Sequence, residues 1–126
     1  MVSRGRVMVI EDEEGIRKLV QMVLSNEGYD VLTASDGRAA LDLVGWAQPD
    51  LIFLDMYMPV MDGWQFSRAY RKTPGPHRPV IILTAGHNPA LVAAQVLADS
   101  YLPKPFDVDD LILLASQYTE RRPCLV

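Results

Sequence analysis

The feature that most constrains this chain is a regular alternation of short apolar runs with longer segments of helical period. The runs predict strands at residues 6–10, 29–34, 51–55, 80–84 and 100–102, most of them apolar enough for burial on both faces. Helices are predicted at residues 14–26, from 37 onward, and at 63–72, 89–98 and 108–118. Strict alternation predicts the α/β class: a doubly wound, five-stranded parallel sheet covered by helices on both faces.

Local signals mark where the predicted helices begin and end. Gly28 is expected to stop the first helix, and Asp36 with Gly37 to open the second. Asn88 before Pro89 predicts a cap followed by proline at the first helical position. Asp107 is expected to cap the last helix.

Composition limits the classes of protein that the chain can represent. Its 126 residues, 49% hydrophobic and 22% charged, suit one domain (1–126, with a core at about 6–119 and a tail at 120–126). The apolar stretches are shorter than the roughly 20 residues of a spanning helix, so we expect no membrane insertion and a cytoplasmic location. A net charge of −4 without a long basic cluster argues against direct nucleic-acid binding. Cys124, the single cysteine, excludes an internal disulfide.

Several chemically active side chains follow directly after the predicted strands. In a doubly wound sheet the ligand site lies beyond the carboxyl ends of the strands, so these residues should share one edge. They are Glu11, Asp12 and Glu13 after the first strand, Asp55 at the end of the third, Thr84 at the end of the fourth, and Lys104 after the fifth.

This set of side chains indicates a cation site that also accepts phosphate. Clustered carboxylates repel, and the repulsion either protonates one of them or recruits a cation. An all-oxygen set favours Mg²⁺, with Mn²⁺ as an alternative, whereas His77 and His87 lack metal-ligand spacing and zinc is not expected. A carboxylate aimed at phosphorus beside a lysine and a hydroxyl can itself be the nucleophile, which gives Asp55 a role as an aspartyl-phosphate former.

Four motifs carry a resemblance to a known family. They are VIEDEEGIR at 9–17, LIFLDMYMPVMDGW at 51–64, IILTAG at 81–86 and YLPKPF at 101–106. In this order and at these strand ends they resemble the receiver domain of two-component response regulators, over about residues 7–118. The resemblance implies a flavodoxin-like (βα)5 fold of the chemotaxis type, with strand order 2-1-3-4-5.

The resemblance also implies a role for each site residue. Asp55 would be the phosphoacceptor, with Thr84 and Lys104 holding the phosphoryl group. The metal ligands would be Glu11, Asp12, Asp55 and the backbone carbonyl of Tyr57. Thr84 and Tyr101 would form the switch pair, and the Lys104–Pro105 peptide bond would be cis.

The implied function is a phosphoacceptor switch in a two-component phosphorelay. A sensor histidine kinase or histidine phosphotransfer protein would donate the phosphoryl group to Asp55 in a Mg²⁺-dependent reaction. Phosphorylation would reshape the face made by the fourth helix, fifth strand and fifth helix, which would bind a downstream protein target. The chain would catalyse only its own phosphorylation and dephosphorylation, so it is not expected to be an enzyme acting on other substrates.

Three features of the sequence depart from the usual family pattern or bear on its chemistry. The first acid is Glu11, where the family more often has Asp, and its extra methylene still lets it reach a metal through water. Leu97 and Ala98 stand where the family often has Gly-Ala, which leaves the fourth helix without its usual glycine stop. The side chains at Tyr57 and Gly86 lie where the family controls access of water to the phosphate.

Alternative functions remain open from the sequence. A phosphatase that forms an aspartyl phosphate generally needs a second acid two residues after the nucleophile, and position 57 is tyrosine. A degenerate receiver acting as a constitutive interaction module would lack an acid, the threonine or the lysine, and none is missing. The chain is either a free-standing regulator or a receiver module from a hybrid kinase or a longer regulator.

Overall fold

The computed structural model describes residues 3–120. Five strands alternate with five helices in these residues. The strands are β1 (Arg6–Ile10), β2 (Asp30–Ala34), β3 (Leu51–Asp55), β4 (Val80–Thr84) and β5 (Ser100–Pro103). The helices are α1 (Glu14–Asn26), α2 (Gly37–Ala47), α3 (Gly63–Arg71), α4 (Pro89–Gln95) and α5 (Val108–Thr119).

The strands form one parallel sheet in the order β2-β1-β3-β4-β5. This confirms the α/β class, the flavodoxin-like alternation and the strand order that the family resemblance implied. In the register of the central pair, Ile10 of β1 lies beside Leu54 of β3. Residues 11 and 55, one step further along each strand, therefore reach the same edge of the sheet.

Alternating strand residues supply two apolar cores, one on each face of the sheet. Met8 and Ile10 pack toward α2, α3 and α4, whereas Val7 and Val9 pack toward α1 and α5. Every residue of β3 and β4 is buried, as expected for central strands of a doubly wound sheet. A rigid platform of this kind fixes the positions of the loops at its carboxyl edge.

Two helix starts near the carboxyl edge are stabilised by side-chain caps. The Asp36 carboxylate accepts a hydrogen bond from Ala39 N, as predicted for the start of α2. Asp62 and Gln65 form a reciprocal capping box at the start of α3. Asn88 and Asp107 occupy the predicted N-cap positions, and Pro89 begins α4 as predicted, but neither capping residue makes a side-chain cap hydrogen bond.

Helix α1 ends as its sequence predicts. Gly28 adopts a left-handed conformation (φ +97°), and its N–H donates to Ser25 O. Tyr29 N donates to Leu24 O, which closes the turn onto the helix end. Gly28 is therefore the stop, two residues after the last helical residue.

Five predicted boundaries differ from the structure. Strand β2 begins at Asp30 rather than Tyr29, and α3 ends at Arg71 rather than Lys72. Strand β5 and helix α5 each extend one residue further than predicted, to Pro103 and Thr119. The largest difference is in α4, which ends at Gln95 rather than at Ala98.

The early end of α4 coincides with an unusual backbone conformation at Leu97. This residue takes the left-handed conformation (φ +58°) that glycine usually supplies, and Ala98 N then donates to Ala93 O. A branched apolar side chain in this conformation is sterically unfavourable. Tertiary contacts from α3, described below, hold the backbone there.

Among residues 3–120, no helix is long and apolar enough to cross a membrane. Cys124 and the predicted tail beyond residue 120 lie outside the described part of the chain.

Candidate functional site

Three acids meet at the carboxyl edge of the sheet. Carboxylate oxygens of Glu11, Asp12 and Asp55 all lie within 4.8 Å of one another. Glu11 and Asp12 follow β1, and Asp55 ends the neighbouring strand β3, so the parallel register brings them together. The convergence predicted from the strand ends is therefore present, and Lys104 joins it from the loop after β5.

Asp55 is a buried carboxylic acid with few partners. Its side chain is 4% exposed, and its Oδ1 lies 3.4 Å from Lys104 Nζ. The same oxygen accepts a hydrogen bond from Tyr57 N at 3.3 Å. Burial, followed by repulsion from Glu11, raises the pKa of Asp55 from 3.8 to about 7, and attraction to Lys104 offsets this only in part.

Glu11 is fully buried beside Asp55. Its Oε1 forms an ion pair with Lys104 Nζ at 2.7 Å, and its Oε2 accepts from Glu13 N at 3.1 Å. Within residues 3–120, Oε1 makes no hydrogen bond of regular geometry. The ion pair with Lys104 is therefore the main compensation for burying this oxygen.

Lys104 links the two buried carboxylates. Its side chain is 15% exposed. Burial lowers its pKa, but the contacts with Glu11 and Asp55 more than offset this effect, and the pKa is raised. Lys104 therefore stays protonated at neutral pH. Its own N–H donates to Thr84 O, and the Lys104–Pro105 bond is cis, as expected from the resemblance.

Asp12 is the exposed member of the acidic group. Its backbone is held by Arg17 of α1, whose Nη1 donates to Glu11 O at 3.0 Å and to Asp12 O at 3.3 Å. Arg17 is the last residue of the VIEDEEGIR motif, but no role was predicted for it. The only signal for it is an arginine five residues after the acid pair, one turn into the helix that follows.

Thr84 and Gly86 form the side of the site on β4. Thr84 is 1% exposed, and its Oγ1 accepts from Gly86 N at 3.2 Å. The Tyr57 side chain reaches over this loop, because a Cβ placed on Gly86 would lie 3.2 Å from the Tyr57 hydroxyl oxygen. The Tyr57 ring also packs edge-on against Trp64, with centroids 5.4 Å apart. Tyr57, although 56% exposed, thus spans from α3 to the loop after β4.

Tyr101 lies apart from the acidic group. It is 40% exposed on β5, where its register partner is Ile82 of β4. The structure places it on the edge strand, two residues before Pro103, which pairs with Thr84 at the end of the two strands. Its part in a switch, like the metal role of the Tyr57 carbonyl, remains a prediction.

Close backbone approaches fix the loop between β3 and α3. Gly37 N donates to Met61 O, and a Cβ on Gly37 would lie 2.8 Å from that oxygen. A Cβ on Gly63 would lie 2.7 Å from Met56 Cα and 2.8 Å from Asp55 O. Both positions therefore require glycine, and Gly63 is packed directly behind the residue that carries the buried acid.

The donor set suits a hard divalent cation. Glu11, Asp12 and Asp55 offer only oxygen, in a space where burial and repulsion from Glu11 raise the pKa of Asp55. A divalent ion would relieve that repulsion, and Mg²⁺ prefers one or two carboxylates with several waters. The exposed side of Asp12 leaves one side of the group accessible to solvent, where such an ion can enter.

Comparisons with known proteins agree with this geometry. Residues 7–116 match the family model described as response regulator receiver domain. The response regulator MprA of Mycolicibacterium vanbaalenii is 38% identical over 109 residues, which cover 85% of this chain and 47% of that protein. MprA of Mycobacterium avium is 37% identical over the same length. The chain thus spans about half the length of the curated relatives it matches.

Solved structures give the same result. The Francisella response regulator 1452 receiver domain superposes with a TM-score of 0.85 at 31% identity, covering 93% of this chain and 98% of that one. The chemotaxis response regulator CheY4 of Vibrio cholerae superposes with a TM-score of 0.83 at 32% identity, covering 94% and 99%. By its sequence match and its fold, this chain belongs to the response regulator receiver domain family.

Proposed function

We propose that this chain is a phosphoacceptor switch, phosphorylated on Asp55. The observation that carries the proposal is the pairing of a nearly buried Asp55 carboxylate with Lys104 and a metal-competent acidic group at one end of the sheet. Structural roles alone do not account for it, since burial, followed by repulsion from Glu11, raises the pKa of Asp55 and so disfavours its ionised form. A reaction that uses the Asp55 carboxylate as a nucleophile would explain why the protein keeps this unfavourable arrangement.

The proposed reaction transfers a phosphoryl group from a phosphohistidine. The P–N bond of the donor breaks, an oxygen of Asp55 forms the new P–O bond, and the imidazole leaves and takes up a proton. A Mg²⁺ ion held by Glu11, Asp12, Asp55 and the Tyr57 carbonyl would neutralise developing charge on the phosphoryl oxygens. Lys104 is placed to pair with another of these oxygens, since its Nζ already lies 3.4 Å from Asp55 Oδ1.

Thr84 is the proposed sensor of the phosphoryl group. Its hydroxyl is buried at the end of β4 and in this structure accepts from Gly86 N. A phosphoryl oxygen on Asp55 would be a new acceptor for that hydroxyl, and its attraction would pull the loop after β4 inward. Tyr101 on the adjacent strand would follow, so the surface of α4, β5 and α5 would change shape.

The family implies a histidine kinase as partner, and the finer assignments are part of the proposal. The donor would be a sensor kinase or a histidine phosphotransfer protein, and the receiver of the signal a protein that binds the altered face. The chain would promote only its own phosphorylation and dephosphorylation. It would serve either as a free-standing regulator or as the receiver module of a longer regulator or hybrid kinase.

The test is phosphorylation by a small-molecule donor, acetyl phosphate, with the intact mass as readout. With Mg²⁺, wild-type protein is expected to gain one phosphoryl group, and chelation of the metal should prevent the gain. Asp55→Asn should gain none, whereas Asp62→Asn, which removes the α3 cap carboxylate, should still react. Equal gain in wild type and Asp55→Asn would refute the proposal.

The phosphatase alternative predicts a different outcome in the same samples. Steady release of phosphate from varied phosphate esters, over many turnovers, would favour it. We expect no such turnover, because position 57 carries tyrosine and a general acid two residues after the nucleophile is therefore missing.

A further inference from the structure

A second surface of the molecule, away from the acidic group, has the properties of a peptide-binding groove. It lies between α3 and the end of α4 and has a volume of about 370 Å³. We call it the α3–α4 groove and define it by Trp64, Arg68, Arg71, Lys72, Gln95 and Leu97. None of these side chains is acidic.

The walls of the groove are held together by hydrogen bonds. The buried Ser67 hydroxyl donates to Val96 O at 3.1 Å, and Arg71 Nη2 donates to Leu97 O at 2.6 Å. Trp64 Nε1 makes a longer contact of 3.4 Å with Gln95 Oε1. Three side chains spaced along one face of α3 therefore hold the carboxyl end of α4, and the groove is formed without a ligand.

The groove exposes apolar surface at an unfavourable backbone position. Leu97 is 70% exposed and adopts φ +58°, a conformation in which glycine or asparagine would be less strained. Because the Leu97 side chain is mostly exposed, it buries little apolar surface within the chain that could compensate for the backbone strain. An exposed leucine beside the half-buried Trp64 ring offers an anchoring site for an apolar side chain of another molecule.

The rim of the groove is positively charged, although the whole chain carries a net charge of −4. Arg68 and Lys72 are exposed, and neither forms an ion pair with any residue between 3 and 120. Arg71 is half-buried: its Nη2 donates to Leu97 O, and its buried Nε has no hydrogen-bond partner within that range. Three cationic side chains thus surround the apolar anchor, and two of them are exposed and without an ion pair in the described part of the chain.

We propose that the α3–α4 groove binds an acidic segment of a partner protein, with an apolar side chain of that segment seated between Trp64 and Leu97. Carboxylates of the segment pair with Arg68, Arg71 and Lys72. Charge complementarity selects this occupant, since the groove is basic on an acidic protein. The inference does not depend on phosphorylation of Asp55, because the hydrogen bonds that form the groove are all present in this structure.

Other occupants fit the groove less well. Nucleic acid would use the three cations but would gain nothing from an exposed leucine, and the overall negative charge would oppose its approach. A second copy of this chain would bring its own net charge of −4, so the two copies would repel each other as they approach. Both occupants remain distinguishable outcomes of the test.

The probe is a fluorescein-labelled synthetic peptide with a single central phenylalanine flanked by glutamates. Binding is measured by fluorescence anisotropy with the 126-residue chain. In a Trp46→Phe background Trp64 is the only tryptophan in the sequence, so its emission gives a local readout. We expect saturable binding that weakens as salt is raised. Replacing the peptide's phenylalanine with glycine, or its glutamates with lysines, should abolish it.

Two protein variants test the groove itself. Leu97→Asn removes the apolar anchor while suiting the left-handed backbone, so it should fold at least as well as wild type and bind at least about tenfold more weakly. The double variant Arg68→Glu/Lys72→Glu should also lose at least about tenfold in affinity. Its matched control, Lys18→Glu/Arg38→Glu, makes the same charge change on α1 and α2 and should bind normally.

Four results would overturn the proposal. The first is absence of saturable binding of the acidic peptide to wild-type protein, and the second is equal loss in the groove and control double variants. The third is competition by a single-stranded oligonucleotide at lower concentration than the unlabelled peptide. The fourth is self-association in sedimentation that Leu97→Asn abolishes, since a second copy would then be the occupant.

Discussion

At the scale of single residues, the site consists of two buried carboxylates that share one lysine. Asp55 and Glu11 both contact Lys104 Nζ, at 3.4 and 2.7 Å. Their place at the carboxyl edge could be predicted from sequence, since each ends or follows an apolar run. The Arg17 hydrogen bonds to the acid-pair carbonyls could not, because they depend on how α1 docks against the loop.

The raised pKa of Asp55 predicts a pH-dependent stability in metal-free protein. The folded state raises this pKa from 3.8 to about 7, so it prefers the neutral acid and loses stability as the pH rises through this range. The loss corresponds to at most about 4 kcal/mol. Asp55→Asn cannot ionise, so its free energy of unfolding should exceed that of wild type at about pH 8 and the excess should shrink toward about pH 5.

Urea denaturation in a chelator at the two pH values measures this difference. Asp62→Asn, which removes a carboxylate from the α3 cap, is the control and should not show a gain at high pH. An excess stability of Asp55→Asn that is independent of pH would contradict the assignment of the raised pKa to this carboxyl group.

Removing the shared cation should destabilise the fold. Lys104→Met retains much of the apolar stem but leaves Glu11, which is fully buried, without its ion pair. We expect a loss of about 3 kcal/mol in the free energy of unfolding of metal-free protein. Lys18→Met, which removes a lysine whose side chain is 69% exposed, should cost less than about 0.5 kcal/mol. Equal losses in the two variants would show that Lys104 does not compensate buried charge.

At the scale of elements, periodicity predicted which segments form strands and helices, and tertiary contacts decided where α4 ends. Helix α4 was expected to reach Ala98, but hydrogen bonds from Ser67 and Arg71 hold Val96 and Leu97 outside the helix. No local signal announces this, since leucine is a good helix former. By contrast Gly28 ends α1 as predicted, because the conformational freedom of glycine is a property of the residue itself.

Strain in the loop after β3 should be relieved by one substitution. Val60 adopts φ +69°, which is unfavourable for a β-branched residue, and is 78% exposed. Val60→Asn should therefore raise the free energy of unfolding by about 1 kcal/mol, because asparagine tolerates this conformation and little burial is lost. Thermal unfolding measures the gain. Val60→Thr keeps the β-branch and should show no gain, and an equal gain would point to a cause other than backbone strain.

Two glycine substitutions should act in opposite directions. A Cβ on Gly63 would lie 2.6 Å from Met56 Sδ and 2.7 Å from Met56 Cα, so Gly63→Ala must displace the backbone behind Asp55 and should cost about 2 kcal/mol or more. A Cβ on Gly15, within α1, meets nothing within 4 Å. Gly15→Ala should therefore stabilise the protein by about 1 kcal/mol through helix propensity. Urea denaturation of both variants measures the contrast, and a stable Gly63→Ala would contradict the close packing.

At the scale of the whole molecule, alternation of strands and helices predicted the α/β class from physical pattern alone. The strand order did not follow from the pattern and came from the family resemblance, because many orders satisfy the same alternation. The order matters for function, since placing β1 beside β3 is what brings Glu11 and Asp12 to Asp55. The reach of Tyr57 over Gly86 also appears only in the assembled fold.

The central claim is that Asp55 is the residue that accepts the phosphoryl group. Its most direct test is chemical mapping: protein treated with acetyl phosphate and Mg²⁺ is reduced with borohydride, which converts an acyl phosphate to homoserine, and the peptides are sequenced by mass spectrometry. The account predicts homoserine at position 55 and aspartate unchanged at positions 12 and 62. Homoserine at another position, or none in protein that has gained phosphoryl mass, would contradict it.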